Sequence, residues 1–160
     1  MTSWSAALYS SEEQAWATPQ ALFDVLNAEF EFELDAAASK QNAKCATFLD
    51  KQRDSLSVPW SEITKGSVWL NPPYGRSLND WMRKAYEESQ KGLCVVCLVF
   101  ARTDTRWFHD WAMKAQEIRL IPGRVTFGNA SNSAPAPSCV IVFDQSRAVP
   151  KFTVQELPRK

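Results

Sequence analysis

A chain of 160 residues, 45% of them apolar and 22% charged, is long enough for one domain with a proper core and too apolar to be a disordered tether. Its 18 basic residues are matched by 18 acidic ones, which counts against coating a polyanion by phosphate neutralisation alone and leaves only local basic patches for such contacts. The longest apolar run, residues 93–101, is too short to cross a bilayer, and the start Met1-Thr2-Ser3-Trp4-Ser5 lacks both parts of a secretory signal, so no membrane contact and a cytoplasmic location are expected.

Residues 1–15 read as a loose polar leader with Trp4, Leu8 and Tyr9 as docking points. In Trp16-Ala17-Thr18-Pro19, Thr18 can cap a helix and Pro19 suits a first helical position; Leu22, Phe23, Leu26 and Phe30 then recur at helical spacing. A helix is expected over 19–29. Next, Phe30-Glu31-Phe32-Glu33-Leu34 alternates apolar and acidic residues, as a strand with one solvated face does. It runs out into Asp35-Ala36-Ala37-Ala38-Ser39, an acid and a run of small residues at a strand's carboxyl end. Residues 42–60 are irregular and contain Asp54-Ser55-Leu56.

The most informative stretch follows. Ser67-Val68-Trp69-Leu70 is a short apolar run after Gly66, and it ends in Asn71-Pro72-Pro73-Tyr74-Gly75, so a buried strand delivers Asn71 to a sharp corner. Two successive prolines remove two backbone donors and leave every carbonyl, and Asn71, preceding proline, is held extended. The corner is therefore rich in acceptors. With the side-chain carbonyl of Asn71 added, a planar group bearing an –NH2 can give both hydrogens to it while Tyr74 offers a ring face. A plain proline-rich turn with Asn71 as its cap would use the same residues.

Beyond the corner, Arg76 and Ser77 lead into a helix over 78–90 whose buried stripe is Leu78, Trp81, Met82, Ala85 and Tyr86. Residues 93–100 are apolar without alternation, as a strand covered on both faces is. Ala101-Arg102-Thr103-Asp104-Thr105 closes it, and Trp107, Phe108, Trp111, Ala112 and Ala115 mark a second amphipathic helix. A strand over 117–121 breaks at Pro122-Gly123; residues 124–127 are then expected to form a hairpin with 138–143 across the loop 128–137. The tail from Asp144, with Pro150 and Pro158, supports an edge strand at most. Cys94 and Cys97 have metal-pair spacing but point to opposite faces of a strand, and His109 is the one histidine, on a helix surface, so no metal site is expected. Alternating strands and helices imply an α/β chain with a largely parallel sheet and a C-terminal antiparallel hairpin. Ligands of such sheets gather at the carboxyl ends of strands, where Asp35, Asn71 and Arg102 converge.

Asn71-Pro72-Pro73-Tyr74 resembles the catalytic motif of the S-adenosyl-L-methionine-dependent amino-methyltransferases. With Trp16 to Pro19, Asp35 to Ser39 and Asp54 to Leu56, the chain looks like the phage-type DNA N-6-adenine methyltransferases, the Dam-like group. The resemblance implies a single-domain Rossmann-like class I methyltransferase fold over residues 16–143, between the leader 1–15 and a tail 144–160. It implies S-adenosyl-L-methionine as cofactor, double-stranded DNA as partner, and Asn71, Pro72, Pro73 and Tyr74 as catalytic residues. Trp16, Thr18, Pro19, Asp35, Ala36, Ala37 and Asp54 fall where that family binds its cofactor. Only about twenty residues separate Asp35 from Asp54, fewer than a full βαβ unit needs, so the cofactor half is abbreviated or Asp54 is misplaced. Arg76, Arg102, Arg106 and Arg124 are candidate DNA contacts, each equally readable as a solvated surface arginine. An RNA adenine or a protein glutamine amide as methyl acceptor, or a non-catalytic DNA-binding module, are the alternatives.

Overall fold

The computed structural model describes residues 17–128 and 133–158. The leader 1–15, Trp16 and the middle of the 128–137 loop lie outside them. Seven strands form one sheet: β1 (Phe32–Asp35), β2 (Thr47–Phe48), β3 (Ser67–Leu70), β4 (Cys94–Phe100), β5 (Glu117–Leu120), β6 (Ser138–Phe143) and β7 (Phe152–Val154). Their order is β2-β1-β3-β4-β6-β5-β7. Every pairing is parallel except those of β6, which runs antiparallel to both β4 and β5.

Period-two alternation along β4 divides the core. Val95, Cys97 and Val99 face one cluster with Leu34, Val68, Leu70 and Ile141, whereas Val96, Leu98 and Phe100 face another with Trp69, Val140 and Val142. Helix α1 (Gln20–Phe30) covers the second side with Leu22, Phe23, Leu26 and Phe30, all buried, and Phe23 meets Trp69 edge-on at 5.5 Å. Helix α3 (Leu78–Gln90) covers the first side with the stripe read from the sequence, joined there by α4 (Arg106–Asp110). The parallel strands need crossovers and the apolar stripes need a sheet, so both demands are met by one α/β arrangement. Cys94 and Cys97 accordingly sit on opposite sides. Among the described residues no helix is long and apolar enough to cross a membrane.

Three local expectations are corrected. Residues 124–127 do not form a strand, and the hairpin-like partner of β6 is β5. Val125 and Phe127 are each 1% exposed, so their alternation reports burial of an extended segment, not the strand with which it pairs. The second amphipathic helix is shorter than its stripe: at Trp111 (φ −122°, ψ −56°) the backbone leaves the α-helix and continues as a 3-10 turn, Ala112–Lys114. The stretch 42–60, read as irregular, contains the two-residue strand β2 and leads into the four-residue helix α2 (Trp60–Ile63), anchored by the Trp60 indole, which donates to the carbonyl and hydroxyl of Ser55, both at 3.0 Å.

The polar tail supplies β7 as an edge strand beside β5. An ionic group fastens it: Arg119 bonds Glu29 (2.6 Å), Glu117 (3.0 Å) and Gln155 (3.0 Å), and Arg147 bonds Glu29 and Glu117, each at 2.7 Å. The Arg119 and Arg147 guanidiniums also lie over the Phe30 ring, at 5.1 and 5.2 Å. Glu117 and Arg119 are buried, so each needs the other.

Candidate active site

Asp35, the last residue of β1, pairs with Trp69 of β3, so Asn71 emerges beside it two residues further on. Leu70 pairs with Cys97 of β4, which brings the Leu98 carbonyl next to the corner. The strand ends thus place Asp35, Asn71 and the β4 terminus on one edge.

At that edge the Asn71 amide is held at both ends. Its Nδ2 donates to Thr18 Oγ1 (3.2 Å), and its Oδ1 lies 3.5 Å from the Tyr74 hydroxyl, which is also 3.4 Å from the Leu98 carbonyl. Pro72 is buried and Pro73 exposed. The Tyr74 ring stacks on Phe100 with centroids 4.2 Å apart and planes at 12°, and Phe100 meets Phe127 edge-on at 6.2 Å. One face of Tyr74 is therefore covered by Phe100. Tyr74 is partly exposed as a residue, yet burial around its hydroxyl pushes the phenol pKa up, so it stays protonated. Gly75 has φ 132°, and a β-carbon there would meet nothing within 4 Å; glycine is required by the backbone angle of the turn, not by crowding.

Thr18 does not cap α1. The N-cap residue is Pro19, whose carbonyl accepts the N–H groups of Leu22 and Phe23, both at 3.1 Å, and no side chain among the described residues caps the helix start. The Thr18 hydroxyl, only 4% exposed as a residue, turns to Asn71 instead. Gly128 N–H donates to the Ala17 carbonyl (2.8 Å), so the segment carrying Thr18 is fixed from the far side of the sheet edge.

Asp35 is 3% exposed. Its carboxylate accepts the backbone N–H of Lys44 (2.9 Å) and of Ala37 (3.3 Å), while Ala36 N–H bonds the Trp69 carbonyl and Ala38 N–H the Leu49 carbonyl, both at 2.9 Å. Burial raises its pKa, and the two backbone bonds with the Lys44 charge only partly offset that. Ala36 is fully buried, so small residues let this loop lie close against β3. Asp54 is elsewhere in character: it sits exposed in a turn with φ 43°, its carbonyl holds the Ser57 N–H and hydroxyl (both 2.9 Å), and no hydrogen bond or ion pair among the described residues joins it to Asp35 or Asn71.

Arg76 and Arg124 are exposed and Arg102 half-buried, while Arg106 is 91% exposed at its side chain and 3.6 Å from Asp110. His109 is exposed, with a ring nitrogen 2.7 Å from the Thr103 carbonyl. Among the described residues no group of three or more His, Cys, Asp or Glu is placed to hold a metal. Sequence reasoning missed Phe100 and the Leu98 carbonyl as parts of the corner. The signal was present, since the register of two adjacent parallel strands ending at one edge sets even-numbered β4 residues beside Asn71.

A mostly parallel sheet with its reversed strand between β4 and β5, and a polar corner at the carboxyl edge, is a Rossmann-like methyltransferase fold. The sequence profile described as DNA N-6-adenine-methyltransferase (Dam) matches residues 5–154, and the chain belongs to that family. It is 32% identical over 112 residues to a DNA N-6-adenine-methyltransferase of Escherichia phage T1, a match spanning 69% of this chain and 46% of the phage protein, about half of its length. It is 27% identical over 142 residues to the protein of the same description from Haemophilus phage HP1 (strain HP1c1), covering 84% of this chain and 80% of that one. A putative methyltransferase, YfdM, of Escherichia coli (strain K12) is 38% identical over 63 residues, 37% of this chain and 69% of the relative.

Proposed function

We propose that this protein methylates the exocyclic N-6 amine of adenine in double-stranded DNA, with S-adenosyl-L-methionine as methyl donor. The observation that carries the reading is the acceptor corner: Asn71, its amide tied to Thr18 through Nδ2 and its Oδ1 3.5 Å from the Tyr74 hydroxyl, beside a tyrosine stack at the ligand edge of a parallel sheet. The donor set suits the cofactor. A buried carboxylate with a raised pKa favours a cationic partner, which the cofactor's amino group would provide, and the Ala-rich loop sets no bulky side chain beside it. Asp35, Ala36, Ala37 and Pro19, together with Trp16 and Asp54, are the proposed holding residues. Bound there, S-adenosyl-L-methionine supplies an electrophilic methyl group on a sulfonium.

The rest is work for the chain's own groups. An aromatic amine is a weak nucleophile because its lone pair is delocalised into the ring. Asn71 Oδ1 and the Pro72 carbonyl accept its two hydrogens and favour a more tetrahedral nitrogen, so these bonds strengthen toward the transition state. Tyr74, backed by Phe100, supports the base plane. Flipping the adenine out of the duplex costs a few kcal/mol, and stacking of about 1–3 kcal/mol per base offsets part of that. No general base is needed beforehand, since the nitrogen sheds its proton after it has gained positive charge. Arg76, Arg102, Arg106 and Arg124 are proposed to meet phosphates, as local contacts on a chain of zero net charge.

The test uses tritium-labelled methyl donor with duplex DNA, RNA and total protein in one reaction. Label that disappears with deoxyribonuclease but survives ribonuclease and protease, and that elutes as N-6-methyladenine, is the expected result. Label following RNA or protein overturns the DNA reading, and calorimetry showing no binding at millimolar cofactor overturns the enzymatic one.

A further inference from the structure

The proposed reaction requires one end of the Asn71 amide to face the amine and forbids the other. Facing oxygen-first, it accepts a hydrogen; facing nitrogen-first, it sets donor against donor. With the oxygen toward the substrate, the Nδ2 group is left inside the protein and must find an acceptor there. Thr18 Oγ1 at 3.2 Å fills that need, and it stands on a residue only 4% exposed. Its hydroxyl makes no cap to α1, although Thr-Pro at a helix start is a natural place for one. The Tyr74 hydroxyl, by contrast, contacts the very oxygen the amine needs, at 3.5 Å, through a bond long enough to be exchanged when a base arrives. After that exchange Thr18 still anchors the amide from behind.

We infer, on the reading of function given above, that Thr18 is a positioning residue: its hydroxyl holds Asn71 with the carbonyl oxygen toward the reacting amine, and so acts on the chemical step and not on cofactor affinity. This differs from the cofactor contact that the family resemblance suggests for Thr18. The two roles separate in measurement.

The decisive pair is Thr18→Val, which keeps the shape and removes the hydroxyl, and Thr18→Ser, which keeps the hydroxyl. Removing a buried acceptor from Nδ2 is expected to lower the single-turnover rate of methyl transfer about ten- to a hundredfold. Cofactor Kd by calorimetry should stay within about twofold, and Thr18→Ser should recover the rate to within about threefold. Thermal melting of Thr18→Val, Asn71→Ala and the double variant forms a second arm, because non-additive losses mark a direct Thr18–Asn71 bond without reference to activity. A wild-type rate in Thr18→Val, a loss confined to cofactor Kd, a serine variant no better than valine, or strictly additive melting losses each overturn the positioning role. Wild-type protein that transfers no methyl group overturns the proposed reaction, and this inference with it; an active wild type beside an unaffected valine variant overturns this inference alone.

Discussion

Replacing Asn71 by alanine removes the acceptor on which the proposed chemistry turns while leaving the fold standing. By analogy with removal of one preorganised polar group aimed at transition-state charge, the rate should fall about 10²- to 10³-fold, roughly 2.7–4 kcal/mol. The structural cost is smaller. The Asn71 bonds to Thr18 (3.2 Å) and Tyr74 (3.5 Å) are long, and of these two the costlier to lose is the one to the buried Thr18 hydroxyl. That loss costs about 1–3 kcal/mol; for a domain of this size each kcal/mol lowers the melting temperature by about 2–4 °C. The protein therefore stays folded at 25 °C and can be assayed. Single-turnover tritium transfer at saturating donor measures the rate, and calorimetry measures cofactor Kd, expected within about twofold of wild type. Asn71→Asp keeps acceptor oxygens and lets the Thr18 hydroxyl reverse to donate, so its rate should fall between wild type and alanine. A rate for Asn71→Ala within threefold of wild type, or a loss lying wholly in cofactor Kd, refutes the acceptor-corner reasoning.

Tyr74→Phe keeps the stack on Phe100 and should leave methyl transfer within about tenfold, whereas Tyr74→Ala removes a packed ring at a cost of about 3–5 kcal/mol and should abolish it; parallel melting curves and rates distinguish the two. The ionic group at the tail predicts an acid limb. Hydrogen bonds from Arg119 and Arg147 outweigh burial at Glu29; at Glu117 burial is the largest influence and raises the pKa, but bonds from Thr153, Arg119 and Arg147 together outweigh it, so both carboxyls lie below the ordinary 4.5. Their stabilisation is thus present above about 4.5 and lost as pH falls through the lowered folded values, which melting temperature against pH reads out directly. Glu117→Gln should flatten that limb and, by leaving Arg119 short of a buried partner, lower stability at neutral pH by about 3–5 kcal/mol; an unchanged melting temperature contradicts this. Arg76→Ala and Arg124→Ala, both at exposed positions, should weaken DNA binding uniformly across sequences and each reduce the salt slope by about 1, measured by titration from low to moderate salt.

The corner was legible in the sequence because covalent constraints define it: two prolines fix angles and delete donors wherever the chain goes. The same holds for α3, whose stripe of Leu78, Trp81, Met82 and Ala85 is a local pattern, and for β4, whose unbroken apolar run needs both faces covered. What escaped was decided by pairing between distant segments. Val125 and Phe127 alternate as a strand does, yet β5 already occupies the place beside β6. Thr18 looked like a helix cap because capping is a matter of neighbouring residues, and its actual partner lies 53 positions away. Asp54 lies in an exposed left-handed turn, a placement that its residue type alone does not reveal, and among the described residues no hydrogen bond or ion pair joins it to Asp35. Phe100 and the Leu98 carbonyl became part of the site through register alone.

One physical tension organises the corner. An acceptor-rich bend at the boundary of two apolar clusters must be satisfied in the empty protein, because a buried carbonyl without a donor costs stability. It must also surrender its oxygen to a substrate. The Tyr74 hydroxyl meets both demands by bonding poorly: at 3.5 Å from Asn71 and 3.4 Å from Leu98 it is well beyond the usual O–H···O distance of about 2.7–2.8 Å, and it divides a single hydrogen between two acceptors. An amine arriving with two hydrogens of its own replaces a weak, shared bond with a better one, so admission of the base exchanges partners and strips none away. The bond to Thr18, on the opposite end of the amide, is not part of that exchange. Asn71 is thereby loosely closed on the substrate side and tied to Thr18 on the protein side, which is the asymmetry that an acceptor working on a flipped base requires.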